Sequence, residues 1–410
     1  MKAVVFTLGC KVNSCESSSL MNGLETLGYE VSDKLSYADI YVINTCAVTK
    51  EAEKKSRQAV SRVKKFNSNA KVYVLGCATQ NHPEDFLKIE GVTLIMGTAS
   101  KDKLLSLLDQ TGKHIEEGTE YYEEYLPIKA IKSRSYVKIQ DGCENFCSYC
   151  LIPYLRGKSR SRSVESIISE LNYLDPLEVV LTGINLSSYD YNGINLTRLL
   201  DRLKDFNFRI RLGSLEVGII SDEFLTACKN LKDFAPHFHL SLQSGCDKVL
   251  REMNRKYTVS EYLQKIELIR KYFPSAGITT DVIIGYSTEN NCDFEKSYDT
   301  CKIAEFSDIH AFSYSKREGT EGAKLKELPP SVKKERLDKM LLLKEELKSR
   351  FIEKFIGCEL SFLPEYEKDG YFEGYTENYI RVYVQGNCDK KIIKIKLIKP
   401  YKDGALAILI

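Results

Sequence analysis

The chain has 410 residues, 43% of them hydrophobic, which is enough for the cores of two or three domains. Its 59 Lys and Arg against 57 Asp and Glu leave a net charge of +2, so no global polyanion-seeking field exists and any nucleic-acid contact must rest on local basic patches. With 13 Cys, no secretory pattern before Lys11 and no apolar run of about 18 residues, the expectation is a cytoplasmic chain with reduced thiols and no membrane span, in which metal or redox use of Cys outranks disulfides.

From Met1 to about Gly112 strand-like runs alternate with helical patterns: AVVFTLG, a helix from Ser17 to Leu27 closed by Gly28, ADIYVINT, a helix from Thr49 to Phe66, and AKVYVLG. Continuous apolar strands joined by crossover helices predict a small parallel α/β domain whose ligands collect at the carboxyl ends of the strands. The acidic, aromatic stretch from Ile115 to Lys132 reads as a connector. From Ser135 the alternation restarts with SYVKIQ, LEVVLTG, FRIRLGS, HFHLSLQ, TTDVIIG and IHAFSYS, separated by helical stretches such as Ser163 to Leu174 and Ser260 to Phe273. Six β/α units are too few for a closed eight-fold barrel, so a partial barrel with its site at the strands' carboxyl ends is expected. After Pro329-Pro330, Ser331 is placed to cap a bridging helix that ends before Gly357. The tail from Cys358 reads as short strands (LSFLPEYE, YFEGYTE, YIRVYVQ, KKIIKIKLI) with turns at DG and GN, a small antiparallel barrel of about five strands. The expected division is 1–114, a linker 115–134, a partial barrel 135–328, a bridging helix 329–357 and a terminal barrel 358–410.

Cys143, Cys147 and Cys150 form C-x3-C-x2-C directly after the first strand of the partial barrel. One loop with that spacing can wrap a single metal centre, and three thiolates on a four-iron cubane leave one iron open for a cofactor. Zinc is the competing reading, but a structural zinc site wants a fourth ligand that the local sequence does not offer. Cys10, Cys46 and Cys77 are far apart in sequence, yet each follows its strand directly (TLGC, INTC, VLGC). Parallel strand ends converge, and Gly9 and Gly76 let backbone approach a bulky cluster, so these three form a second candidate triplet; the alternative is three small buried hydrophobes.

These motifs carry a family resemblance. The Cys143-Cys147-Cys150 loop resembles the radical S-adenosylmethionine superfamily, and TLGCKVN, NTC and LGC resemble the amino-terminal domain of methylthiotransferases; LTGINL, LSLQSGCDKVLREMNRKYT, TTDVIIGY and FSYSKREGT extend the likeness over nearly the whole chain. Within that family TLGCKVN is similar to the subgroup acting on N6-threonylcarbamoyladenosine at position 37 of tRNA, and the tail resembles the TRAM domain. Two departures stand out: Ser287-Thr288 replaces the family's usual Pro-Gly, and Gly213-Ser214-Leu215-Glu216-Val217 replaces its Ser-Ser-Ile-Glu-Pro run.

The resemblance implies two 4Fe-4S clusters and S-adenosylmethionine as cofactors. The C2–H bond of adenine has no acidic proton and no leaving group, so a radical route is needed: the open iron on the Cys143 cluster chelates S-adenosylmethionine and injects an electron. Tyr149, Gly183, Ser214, Glu216 and Gln243 are the expected contacts to that cofactor. The cluster on Cys10, Cys46 and Cys77 holds the sulfur to be inserted or, alternatively, relays electrons. His237, His239 and His310 show no metal-ligand spacing, and Lys316-Arg317 is a further candidate for substrate or cofactor contact.

Two basic patches are candidate RNA contacts. Arg156, Lys158, Arg160 and Arg162 lie in a segment without acids, and Lys390, Lys391, Lys394, Lys396, Lys399 and Lys402 crowd the tail, with Lys394 and Lys396 on one strand face. Tyr371, Phe372, Tyr375, Tyr379 and Tyr383 offer stacking surface. The expected partners are tRNA, an electron donor of flavodoxin or ferredoxin type and a sulfur donor, with the chain a monomer. Two rival readings are a methylthiotransferase acting on a ribosomal protein side chain and a non-catalytic iron-sulfur protein that binds RNA and senses redox state.

Overall fold

A computed structural model describes residues 1–116, 133–386, 388 and 391–410; most of the expected linker, and Lys390, lie outside the described residues. The amino-terminal unit runs β1 (Lys2–Thr7), α1 (Lys11–Thr26), β2 (Glu30–Ser32), β3 (Ile40–Thr45), α2 (Lys50–Val63), β4 (Lys71–Gly76), α3 (Cys77–Asn81), α4 (Pro83–Leu87), β5 (Leu94–Met96) and β6 (Gly112–His114). Its sheet, in the order β2-β1-β3-β4-β5-β6, is parallel throughout. Alternate strand residues feed two cores. Val5, Val42 and Leu75 pack with Leu20 and Leu24 of α1, while Val4, Ile43 and Val74 pack with Val60 and Val63 of α2. Helix α1 begins at Lys11 rather than Ser17, because Asn13 and Glu16 in its first turns are buried against polar partners and so show no apolar periodicity.

The central unit continues with β7 (Arg134–Asp141), α5 (Ile152–Arg156), β8 (Arg160–Ser161), α6 (Val164–Tyr173), β9 (Glu178–Gly183), β10 (Asp190–Tyr191), β11 (Ile194–Asn195), α7 (Leu196–Leu203), β12 (Arg209–Leu212), β13 (Ser214–Leu215), α8 (Asp222–Asn230), β14 (His237–Leu240), α9 (Asp247–Glu252), α10 (Val259–Tyr272), β15 (Gly277–Ile284), α11 (Asn291–Ala304) and β16 (Asp308–Ser313). β12 pairs with β9 and, one residue later, β13 pairs with β14, so a single strand interrupted at Gly213 joins two sheets into a six-stranded parallel partial barrel. Val137, Ile139, Leu181, Leu212 and Phe238 face the surrounding helices, and the alternate positions give an unusually polar inner face that includes Lys138, Glu178, Arg211, His239 and Asp281.

α12 (Pro330–Glu353) starts with Pro330 in its first turn and Pro329 at its cap, so Ser331 does not cap it; a proline needs no amide partner at that position. The tail closes into a barrel of β17 (Glu359–Lys368), β18 (Tyr371–Thr376), β19 (Arg381–Val384), β20 (Ile393–Tyr401) and β21 (Gly404–Leu409), in the order β17-β18-β19-β21-β20. Four pairings are antiparallel and β19–β21 is parallel. An odd number of strands cannot alternate direction all the way around a closed ring, so one parallel seam is unavoidable. The barrel docks by stacking: Tyr379 lies on Tyr375 and on His237, with centroids 4.5 and 4.3 Å apart, and Arg211 reaches from beneath to the Thr376 carbonyl at 3.2 Å.

Candidate functional site

The two Cys triplets occupy the carboxyl ends of two adjoining parallel sheets. Cys10 caps α1, Cys46 follows β3, and Cys77 opens α3 directly after β4. Gly9 and Gly76 have φ of +107° and +116°, and a Cβ on Gly9 would stand 2.7 Å from the Cys46 Cβ and 2.9 Å from its Sγ. Only glycine permits that approach, which keeps a cradle open between the thiols. Burial pushes the Cys46 thiol up to about 12, against help from the Val48 amide, so a thiolate there needs a metal centre to stabilise it. Among the described residues no three His, Cys, Asp or Glu side chains close on a single-ion site. Three sulfurs without a fourth ligand suit the corners of a larger cluster better than zinc.

The barrel triplet sits in the loop after β7, and N–H donors reach its sulfurs: the Ile152 amide reaches Cys150 Sγ at 3.4 Å, Arg255 Nη1 reaches Cys147 Sγ at 3.4 Å, and Asn185 Nδ2 reaches Cys143 Sγ at 4.0 Å. Such donors stabilise thiolate over thiol, opposing the burial that pushes Cys150 up to about 12. Arg255 also donates from Nη2 to Glu216 Oε2 at 2.5 Å and from Nε to the Tyr257 hydroxyl at 3.1 Å. These groups line a cavity of about 350 Å³ beside Cys147, with Asn145, Asn185 and Ser187.

Of the five residues expected to touch the cofactor, Glu216 lines that cavity. Tyr149 packs against the cluster of Met253, Tyr286 and Tyr314. Gly183 ends β9 beside Gln140, Ser214 is exposed at the start of β13, and Gln243 holds a positive φ of 63° while its amide bonds the Asp281 carbonyl. Asn185 and Arg255 escape a reading of the sequence, although both fall inside LTGINL and MNRKYT. Their signal is the motif itself, since neither residue type is metal-specific. Arg317 is corrected: it is buried in an ion pair with Glu53 at 2.6 Å that joins the barrel to α2. His237 and His239 share Thr279 Oγ1 at 3.0 and 2.9 Å, and His239 also meets Asp281 at 3.1 Å.

The first basic patch is also corrected. Arg156, Arg160 and Arg162 are buried and bound to carboxylates, so they cannot offer phosphate contacts; Lys158 alone of the four is exposed. Arg162 pairs with Glu170, and Arg160 approaches Asp141 at 3.5 Å. Arg156 Nη1 meets Glu16 Oε1 at 3.0 Å and Asp141 at 2.9 Å, Lys101 meets Glu16 at 2.5 Å, and Lys138 reaches Glu16 at 3.1 Å and Asp141 at 2.6 Å. Burial favours the neutral acid, yet Arg156 and the two lysines outweigh it and hold Glu16 well below the usual carboxylate range; Asp141 is held down by Arg156, Lys138 and Arg160. This network joins α1, capped by Cys10, to β7, which leads into the Cys143 loop.

In the tail Lys394 and Lys396 are exposed on one face of β20, with Glu359 directly opposite Lys396. Tyr375 and Tyr379 are taken up in the interface with the central barrel, and Tyr383 is buried with its hydroxyl on Asp403. Tyr371 remains beside Tyr401, with Lys402 Nζ 5.8 and 5.2 Å from their ring centroids.

Comparison with known proteins bears on the same residues. Residues 2–97 match the Uncharacterized protein family UPF0004 and residues 137–301 the Radical SAM superfamily. The chain is 35% identical to the Threonylcarbamoyladenosine tRNA methylthiotransferase MtaB of Bacillus subtilis (strain 168), covering 98% of this chain and 96% of that protein. It is 33% identical to the tRNA-2-methylthio-N(6)-dimethylallyladenosine synthase of Thermodesulfovibrio yellowstonii, over 97% of this chain and 96% of that one. The radical S-adenosylmethionine methyltransferase TsrM from Kitasatospora setae, solved with cobalamin and a 4Fe-4S cluster, superposes with a TM-score of 0.59 at 11% identity over 91% of this chain and 81% of that one, a likeness of fold alone. Identity of that order along nearly the full length, carried on the two Cys-bearing units just described, makes this chain a member of the radical S-adenosylmethionine tRNA methylthiotransferase family.

Proposed function

We propose that this enzyme inserts sulfur and a methyl group at C2 of N6-threonylcarbamoyladenosine at position 37 of tRNA. The observation that carries the reading is the pairing of two Cys triplets, one on each of two adjoining parallel sheets, locked together through Glu16 and Arg156. TLGCKVN and the relatives named for threonylcarbamoyladenosine support the choice of base. When bound, 4Fe-4S clusters supply the electron that cleaves S-adenosylmethionine, on Cys143, Cys147 and Cys150, and the sulfur for insertion, on Cys10, Cys46 and Cys77.

The chain's own residues then bind and orient. Arg255 steadies Cys147 through its N–H and fixes Glu216; together they place opposite charges in the cavity, suited to the carboxylate and ammonium of S-adenosylmethionine. Gly183, Ser214, Gln243 and Tyr149 stand at or near the same strand ends as further contacts. Lys394 and Lys396, with Lys158 nearer the clusters, hold tRNA phosphates. The divisions at 114, 134, 328 and 357 separate the auxiliary-cluster domain, linker, radical barrel, bridging helix and a TRAM-like RNA-binding barrel. The enzyme works in the cytoplasm as a monomer, drawing on a flavodoxin- or ferredoxin-type reductant and a separate sulfur donor.

Mass spectrometry of tRNA nucleosides from cells with and without this chain tests the proposal. Loss of the 2-methylthio derivative of threonylcarbamoyladenosine is expected. Loss of the dimethylallyladenosine derivative instead would reassign the base, and unchanged tRNA with an altered ribosomal protein would overturn the substrate class.

A further inference from the structure

Arg156, in a run that reads as a basic surface patch, is buried between α1 and β7. It ends α5, and its side chain has no exposed area. Nη1 donates to Glu16 Oε1 at 3.0 Å and to both Asp141 oxygens at 2.9 Å; Nη2 donates to Asn13 Oδ1 at 2.9 Å and to Glu16 Oε2 at 3.3 Å. Nε, also buried, has no hydrogen-bond partner among the described residues. A buried donor is rarely left over unless a further group accepts it.

The surroundings say what that acceptor is. Leu155 in α5 and Leu151 at its amino-terminal cap share an apolar cluster with Cys77 and Ala78. Asn13, which accepts from Arg156, donates from Nδ2 to the Leu8 and Thr45 carbonyls, the residues just before the Gly9-Cys10 and Cys46 positions. The guanidinium is therefore fixed at the wall of the Cys10, Cys46 and Cys77 cradle. Around it the cations Lys101, Lys138, Arg156 and Arg160 meet the carboxylates Glu16 and Asp141, an excess of buried positive charge.

We propose that Arg156 is a positioning residue for the cluster carried by Cys10, Cys46 and Cys77, with Nε–H donated to one of its sulfurs and the guanidinium raising its reduction potential, an inference that rests on the assignment of a cluster to those thiols. Donated N–H groups and added positive charge favour the reduced form of an anionic iron-sulfur group. A residue that merely tied α1 to β7 would leave that potential unmoved.

The experiment uses the full chain with Cys143, Cys147 and Cys150 changed to Ala, so that one cluster remains, and follows its potential by an EPR-monitored redox titration. If this parent binds no iron, the cluster assignment fails before Arg156 is tested. Arg156→Gln is expected to lower the reduction equilibrium constant at least tenfold, about 59 mV for one electron. Arg156→Lys keeps a cation for Glu16 and Asp141 and removes the Nε donor, so it should assemble more readily and shift in the same direction. In the opposite background, with Cys10, Cys46 and Cys77 changed to Ala, both substitutions should leave the barrel cluster's potential unchanged. An unmoved auxiliary potential in Arg156→Lys with its iron retained overturns the proposal, as does loss of iron from both backgrounds together.

Discussion

Glu16→Gln isolates the contribution of the buried network. In the wild-type chain Glu16 is wholly buried and faces Lys101, Lys138 and Arg156 at 2.5, 3.1 and 3.0 Å, and Asp141 shares Lys138 and Arg156 with it. Removing one member of a buried ion cluster costs about 3–5 kcal/mol, and because the amide oxygen of Gln still accepts one hydrogen bond the lower end, about 3 kcal/mol, is expected. Native-state hydrogen exchange is the appropriate assay, since a multidomain iron-sulfur protein need not unfold in one step. Amides of α1 and β7 should lose roughly 100-fold in protection at pH 7. Glu51→Gln is the control: Glu51 is exposed and 3.9 Å from Lys55, a pair whose loss should change protection by no more than about 1 kcal/mol. Acid provides an independent check. Glu16 and Asp141 sit below ordinary values of 4.5 and 3.8, so their contribution is fully present above about pH 5 and fades as pH falls toward their depressed values. The difference between wild type and Glu16→Gln should therefore shrink about tenfold in protection per unit below pH 4.5. Equal protection in Glu16→Gln and Glu51→Gln, or a difference that acid leaves untouched, would refute the argument.

Anaerobic reconstitution should yield about eight iron per chain, and about four after changing either Cys143, Cys147 and Cys150 or Cys10, Cys46 and Cys77 to Ala; full activity from a zinc-only preparation would contradict it. The variant lacking Cys10, Cys46 and Cys77 should still cleave S-adenosylmethionine reductively to 5′-deoxyadenosine and methionine while making no methylthio product, as measured by chromatography of both. Arg255→Met removes the N–H donated to Cys147 and the partner of Glu216, so reductive cleavage of S-adenosylmethionine should fall by about 10-fold or more with about four iron still bound at the site. Changing Lys394 and Lys396 to Ala should lower affinity for cognate and non-cognate tRNA alike and flatten the dependence of log K on log salt by about one unit per lost phosphate contact; an unchanged slope would leave those lysines as a solvated strand face.

Both Cys triplets are legible in the amino-acid sequence because their information is local. Three ligands within one loop are spaced by sequence alone, and a Cys directly after each of three parallel strands must meet the others wherever the sheet closes, since parallel strands share a carboxyl edge. The six-stranded partial barrel is legible for the same reason, from the period of its strands. The acid-free run from Leu151 to Ser163 misleads because periodicity and charge are read along the chain, whereas a charge is buried or solvated according to what lies across from it. Glu16, 140 residues before Arg156, and Asp141 turn apparent surface cations into the joint between two sheets, just as Glu53, 264 residues away, does for Arg317. Desolvation is tolerated only where opposite charge is already in place, and only the tertiary structure brings it there.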